Sequence, residues 1–203
     1  TLAAAYLCGV NKVYNVGGAQ AIAALAIGTK IIKKANKVFG PGNKYVAEAK
    51  KQLFGVIGID LPAGPSEVLV IANDKSKPSW IAYDVLAQGE HDPNAKTYVL
   101  SKNKNILIKV KDELERVIKE KNIKNVHKSI KNNCSLILAK NKKEIYEISN
   151  FIAPEHLHIH EKFNKNILKN FTNAGSVFIG EKSPVALGDY TIGTNHVLPT
   201  DQT

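Results

Sequence analysis

Residues 66–100 read SEVLVIANDKSKPSWIAYDVLAQGEHDPNAKTYVL, and this stretch decides the fold. Glu67–Ala72 is a short apolar run of strand length. Ser76 can cap a helix and Pro78 suits a first turn, so a helix is predicted from about Ser79 to Gln88. Thr97–Leu100 is strand-like again. Strand, helix and strand in so short a span make a βαβ unit, which requires parallel strands joined by a right-handed crossover.

The same alternation extends outward in both directions. Upstream, Val13–Val16 is predicted as a strand broken by Gly17-Gly18, and Ala19–Ile27 as a buried, alanine-rich helix stopped by Gly28. Lys37–Phe39 is strand-like, Gly40-Pro41-Gly42-Asn43 a turn, and Tyr45–Phe54 an amphipathic helix. Val56–Leu61 is a strand followed by the turn Pro62-Ala63-Gly64-Pro65. Downstream, Asn103–Lys121 is a charged helix whose apolar stripe is Ile106, Val110, Leu114, Val117 and Ile118. Ser135–Leu138, His156–Ile159 and Ser176–Ile179 are predicted strands, Lys142–Phe151 and Phe163–Phe171 predicted helices, and residues 180–203 loop. The expected class is α/β, with Rossmann-like parallel sheets flanked by helices. Helices are rich in small residues and turns glycine-rich before Gly64–Ser66, whereas helices are longer and lysine-rich after it. A boundary there gives two incomplete domains, 1–66 and 67–203.

Composition narrows the function classes. The net charge is +10, but almost all the basic residues are lysines and Arg116 is the only arginine. The lysines spread over predicted helix faces such as 102–124, where Arg forks and basic stripes would be needed to read nucleic acid. No apolar run approaches the ~18 residues of a membrane span. Cys8 and Cys134 make no disulfide framework, which favours a reducing, cytoplasmic setting. The chain lacks methionine altogether and ends on a motif-like loop, so both termini are expected to be cuts in a longer polypeptide.

Five places have residue types suited to chemistry, and each also has a structural reading. Gly17-Gly18-Ala19-Gln20 can turn helix amides toward an anion such as a pyrophosphate, or simply make a tight turn. Asn43 and Ser66 each place a hydrogen-bonding side chain at the exit of a stiff Pro/Gly turn. Gln88 and His91 lie three apart and can aim at one point, imidazole being a common zinc ligand and a Gln oxygen an uncommon one; a helix cap is the alternative. Glu155-His156 is an acid–base pair if the preceding Pro154 turns the chain so that the two side chains converge. His158 and His160 further along that strand are read as structural or surface residues. Asp189 can give a hard oxygen to a metal, and His196 can bind substrate, in a loop without hydrophobic periodicity.

Together these segments resemble histidinol dehydrogenase. The resemblance rests on YNVGGAQAIAALAIGT (14–29), FGPGNKYVAEAK (39–50), IDLPAGPSEVLVIA (59–72), AQGEHDP (87–93), APEHL (153–157), NAGSVFIG (173–180) and GDYTIGTNHVLPT (188–200), in the family's order. It implies oxidation of L-histidinol to L-histidine in two NAD-dependent steps through L-histidinal, with one zinc per subunit of a homodimer. It further implies Gln88, His91 and Asp189 as zinc ligands, with a fourth, a histidine, supplied by the partner subunit from a segment missing here. By the same resemblance Glu155 and His156 are catalytic. Ser66 and His196, together with Gln88, His91, His156 and Asp189, hold substrate, and Gln20 and Asn43 contact NAD. Gly89 stands where the family usually has alanine. The 203-residue piece alone is expected to be inactive. Two rival readings are a zinc-dependent hydrolase and a metabolite- or metal-binding relative without turnover.

Overall fold

The computed structural model describes the chain except residues 61–65, 122–123, 163, 165, 191, 195–197 and 199–203, and the side chains of 124, 125 and 189. Its contacts divide the chain into two units, residues 1–63 and 64–203.

The second unit is built on a five-stranded, wholly parallel sheet. Its strands are β3 (Glu67–Ile71), β4 (Lys96–Ser101), β5 (Cys134–Leu138), β6 (His156–Ile159) and β7 (Ser176–Ile179), in the spatial order β5-β4-β3-β6-β7. The chain starts at the centre, walks out to one edge, then returns to build the other side. Every residue of β3 is buried, as expected of a central parallel strand covered on both faces. Its alternate residues serve two cores. Val68, Val70 and Ala72 pack with Ile81, Val85 and Leu86 of α4 (Pro78–His91) and with Val110, Leu114 and Val117 of α5 (Lys104–Lys121). Leu69 and Ile71 pack with Leu157 and Ile159 of β6 and Ile145 of α7 (Lys142–Ile152) on the other face. The mixed α/β architecture with helix-flanked parallel sheets is the one the alternating pattern predicts.

Several local expectations fail for physical reasons. Ser76 does not cap α4: its Oγ accepts from the Asn73 amide in the preceding turn, and Lys77 takes the N-cap position. Helix α6 (Lys124–Asn133) was not predicted, because its sequence is mostly Lys and Asn. Buried Val126 and Ser129 anchor it, and the Ser129 hydroxyl donates to the Ala95 carbonyl at 3.1 Å. Within Phe163–Phe171 the described residues form only a 3₁₀ turn, Leu168–Asn170. Asn164 Oδ1 accepts from the Asn166 amide there, a local bond that competes with helix formation.

In the first unit α1 (Leu2–Leu7) buries nothing, and Val13–Val16 has no strand partner among the described residues and is irregular. The helices α2 (Gly18–Ile27) and α3 (Lys44–Leu53) cover a short parallel pair, β1 (Lys37–Val38) and β2 (Gly58–Ile59), over Ile22, Ala26, Val38 and Ile57. Lys50 and Asp60 are buried together: Lys50 Nζ lies 2.6 Å from Asp60 Oδ1, and Asp60 Oδ2 accepts from the Gly40 amide at 2.7 Å. Lys50 also donates to the Gly40 carbonyl. This network ties down the turn that leads to Asn43. No described helix is long and apolar enough to cross a membrane.

Candidate active site

The polar groups of the second unit gather where the strands begin. Helix α7 ends at Ala153, a non-glycine residue in the left-handed region (φ 48°, ψ 56°), followed by Pro154. This reversal delivers Glu155 and His156 to the start of β6, beside the start of β3. Glu155 is only 7% exposed. Its Oε2 accepts from the Glu67 amide at 3.1 Å, and the Ser66 side chain bonds the same carboxyl. His156 Nδ1 lies 3.2 Å from the Glu67 carbonyl and 3.8 Å from Glu155 Oε2. A carbonyl can only accept, so this contact places the imidazole proton on Nδ1 and makes Nε2 the basic nitrogen. The two side chains converge although they are sequence neighbours, because Glu155 precedes the extended segment.

Burial pushes the Glu155 carboxyl up to about 7, with the neighbouring Glu67 carboxylate adding to the rise and the Glu67 amide and Ser66 opposing it. A carboxyl that exchanges its proton near neutrality suits acid–base work. Glu67 itself is 3% exposed; its Oε1 pairs with Lys96 Nζ at 3.3 Å, and its Oε2 has no hydrogen-bond partner among the described residues. Sequence reading treated Glu67 only as the first residue of a strand. The available signal was an acidic residue inside an otherwise apolar central strand.

Gln88 and His91 occupy the last turn of α4, Gln88 buried and His91 exposed. Residues 92–95 link that helix end to the start of β4, so both lie at the edge of the sheet where Glu155 and His156 sit. Gly89 between them faces Ile130 and Ser129, which an added Cβ would approach to 3.2–3.3 Å. A 3₁₀ turn, Val185–Asp189, packs on α4. An added Cβ at Gly188 would meet the Phe178 ring at 3.4 Å, and that ring lies 6.2 Å from the His156 imidazole. The Asp189 side chain, His196 and the Pro62–Pro65 turn lie outside the described residues.

In the first unit Gln20 sits in the first turn of α2, exposed, behind Gly17 and Gly18. Gly18 has φ +75°, and a Cβ there would fall 2.9 Å from Gln20 Oε1. Asn43 is the N-cap of α3; its Oδ1 accepts from the Tyr45 and Val46 amides, leaving its Nδ2 as the group for an outside contact.

At the other end of β6, His158 and His160 are buried rather than superficial. His158 Nδ1 bonds Asp84 Oδ2 on α4, and its Nε2 bonds the Gly180 carbonyl at 2.9 Å. Burial, with His158 adding to it, pushes the His160 imidazole down to about 3. Asp84 carried a readable signal: it interrupts the apolar α4 face defined by Ile81 and Val85.

Fold and site together define a parallel α/β protein carrying the groups for acid–base chemistry at its strand starts. A sequence profile of histidinol dehydrogenase matches residues 1–203. The chain belongs to the histidinol dehydrogenase family, oxidoreductases of histidine biosynthesis. It is 46% identical over 201 residues to the histidinol dehydrogenase of Aquifex aeolicus, covering 98% of this chain and 47% of that protein. The Lactococcus lactis histidinol dehydrogenase is 46% identical over 203 residues, covering 100% and 47%. The crystal structure of histidinol dehydrogenase from Elizabethkingia anophelis superposes with a TM-score of 0.89 at 39% identity, covering 97% of this chain and 46% of that one. The chain thus spans about half the length of the curated relatives it matches.

The family implies zinc and NAD, and the described residues fit both. An amide oxygen and an imidazole one helical turn apart are competent zinc donors. A helix entered through Gly17-Gly18, with Gly18 in the left-handed region at φ +75°, can turn its first-turn amides toward a phosphate.

Proposed function

We propose that the polypeptide containing this chain is a zinc-dependent, NAD-dependent histidinol dehydrogenase that oxidises L-histidinol to L-histidine through L-histidinal. The observation that carries this reading is the convergence of buried Glu155 and His156 on the backbone of Glu67. Gln88, His91 and Asp189 would hold zinc, with a fourth ligand from the partner subunit of a homodimer, and Gln20 and Asn43 would contact NAD. When bound, zinc would supply a Lewis-acidic template for the substrate's nitrogens, and two NAD molecules in turn would each accept one hydride.

The chain's own residues account for the protons. His156 Nε2 takes the alcohol proton as the first hydride leaves carbon, giving the aldehyde. Glu155 as carboxylate takes a proton from a water whose oxygen adds to that aldehyde, and the His156 imidazolium returns its proton to the carbonyl oxygen, giving the hydrate. His156, neutral again, takes a proton from the hydrate as the second hydride leaves, giving the carboxylic acid, which loses its remaining proton to water and becomes the carboxylate. Ser66, whose side chain bonds the Glu155 carboxyl, would hold substrate, and His196 would do the same. Holding the substrate at fixed distance from these groups supplies much of the rate. The reading also places the enzyme in the cytoplasm, acting on a small molecule rather than on nucleic acid or membrane, and leaves the 203-residue piece inactive by itself.

The test is NADH formation by the full polypeptide with L-histidinol. Two NADH per histidine formed supports the reading, and amide or ester hydrolysis without NADH rejects it. Glu155→Gln should slow oxidation of added L-histidinal while zinc content stays unchanged.

A further inference from the structure

At the edge of the sheet away from Glu155 and His156, three buried side chains meet. Asp84 is mid-helix on α4, His158 is on β6, and His160 directly follows that strand; they are 5%, 1% and 4% exposed. One ligating atom from each lies within 4.8 Å of the other two. We infer that Asp84, His158 and His160 form a second metal site, taking a divalent ion of the zinc type.

Donor chemistry supports the assignment. Two imidazoles and a carboxylate are the commonest protein donors for such ions, leaving a fourth position for water. His158 is already oriented: its Nε2 bonds the Gly180 carbonyl at 2.9 Å, the outer bond that ligating histidines characteristically make, so its Nδ1 points at Asp84. His160 supplies the independent sign of a missing ligand. Both of its ring nitrogens are buried with no hydrogen-bond partner among the described residues, though its ring centroid lies 4.4 Å from that of His158. A buried polar group in that condition calls for an explanation, and a bound ion is one. Its backbone is held firmly, the His160 amide donating to the Ile71 carbonyl at 2.9 Å.

Location agrees with chemistry. The sheet order β5-β4-β3-β6-β7 changes direction between β3 and β6. Ligands in open α/β sheets settle outside the carboxyl ends at that switch point, where His160 stands. A cavity of about 340 Å³ lined by Trp80, Tyr83 and Glu181 reaches Asp84 and His158, giving an ion a way in. On binding, Asp84 would exchange its bond to His158 Nδ1 for the ion, and the freed proton would leave to water.

The full polypeptide, stripped with chelator, is titrated with zinc alone by calorimetry and its bound metal counted after dialysis. Three variants accompany it: His91→Ala, His160→Gln, and both together. The His160 side chain makes no hydrogen bond among the described residues, so His160→Gln leaves the Asp84–His158 bond in place. The expected result is one more bound equivalent in the wild type than in His160→Gln, that equivalent surviving in His91→Ala and lost in the double variant. Cobalt added to His91→Ala should give the visible absorption of a four-coordinate ion. Equal zinc counts in wild type and His160→Gln overturn the proposal. If His160→Gln does not fold, His91→Ala decides alone: one equivalent with the cobalt spectrum supports it, and none overturns it.

Discussion

The Glu67 amide donates to Glu155 Oε2 at 3.1 Å, seating two buried carboxyl groups side by side at the starts of neighbouring strands. Glu155 is protonated up to about pH 7 in the fold, against 4.5 for the ordinary side chain. The folded state therefore favours the protonated form; the stabilisation is full below about pH 4.5 and is lost as pH rises through 7. Glu155→Gln keeps an acceptor for the Glu67 amide and removes the ionisation. It should leave stability unchanged near about pH 4 and raise it by about 2–3 kcal/mol above about pH 8. Urea unfolding of the full polypeptide at the two pH values checks this, and an equal effect at both would count against it.

Glu67 contributes to that shift through its charge. Glu67→Gln should lower the Glu155 pKa from its value of about 7. Carbon NMR of the labelled Glu155 carboxyl reads it directly. If the pH dependence of turnover is governed by Glu155, its limb should move by the same amount, and a profile that stays put would separate Glu155 from the reaction.

Lys50 and Asp60 are a buried ion pair in the first unit. Lys50→Met leaves a buried carboxylate uncompensated and should cost about 3–5 kcal/mol. Adding Asp60→Asn removes the charge while keeping an acceptor for the Gly40 amide, and should recover much of that loss. Exchange of the Gly40 amide with deuterium should accelerate in the single variant and slow again in the double.

Ala153 holds a left-handed conformation immediately before the site. Relief of that strain by Ala153→Gly is worth about 1–2 kcal/mol, offset by about 0.4–1 kcal/mol of added unfolded-chain entropy. The net effect should be neutral or slightly stabilising. Ala153→Val should cost about 1–3 kcal/mol and weaken the Glu155–Glu67 contact. Thermal melts separate the two, and a stable Val variant would mean that the reversal tolerates other backbone paths.

The repeating βαβ texture was legible because a central parallel strand such as Glu67–Ile71 must be apolar on both faces, and α5 must show one apolar stripe. Helix α6 was not, since two contacts from Val126 and Ser129 decide it and its remaining residues favour solvent. Val13–Val16 has strand composition, but composition provides no neighbour to pair with. For the site, chemistry-bearing residue types at Glu155, His156, Gln88 and His91 could be picked out along the chain. That Glu67 would support Glu155 and His156 through its backbone could not, because such contacts depend on how strands 88 and 89 residues apart are aligned. His158 and Asp84 were unreadable as a pair for the same reason.

The Asp84–His158 bond has a geometric corollary. Four residues of α-helix advance about 6 Å, and two residues of strand about 6.6 Å, so the two elements are rulers with nearly equal divisions. Helix α4 runs back along the sheet as β6 runs forward. Pinning Asp84 to His158 therefore brings the next division, Gln88, level with His156. One extra residue between positions 84 and 88 would swing the amide about 100° around the helix axis, misaligning the scale while the surrounding architecture stayed intact.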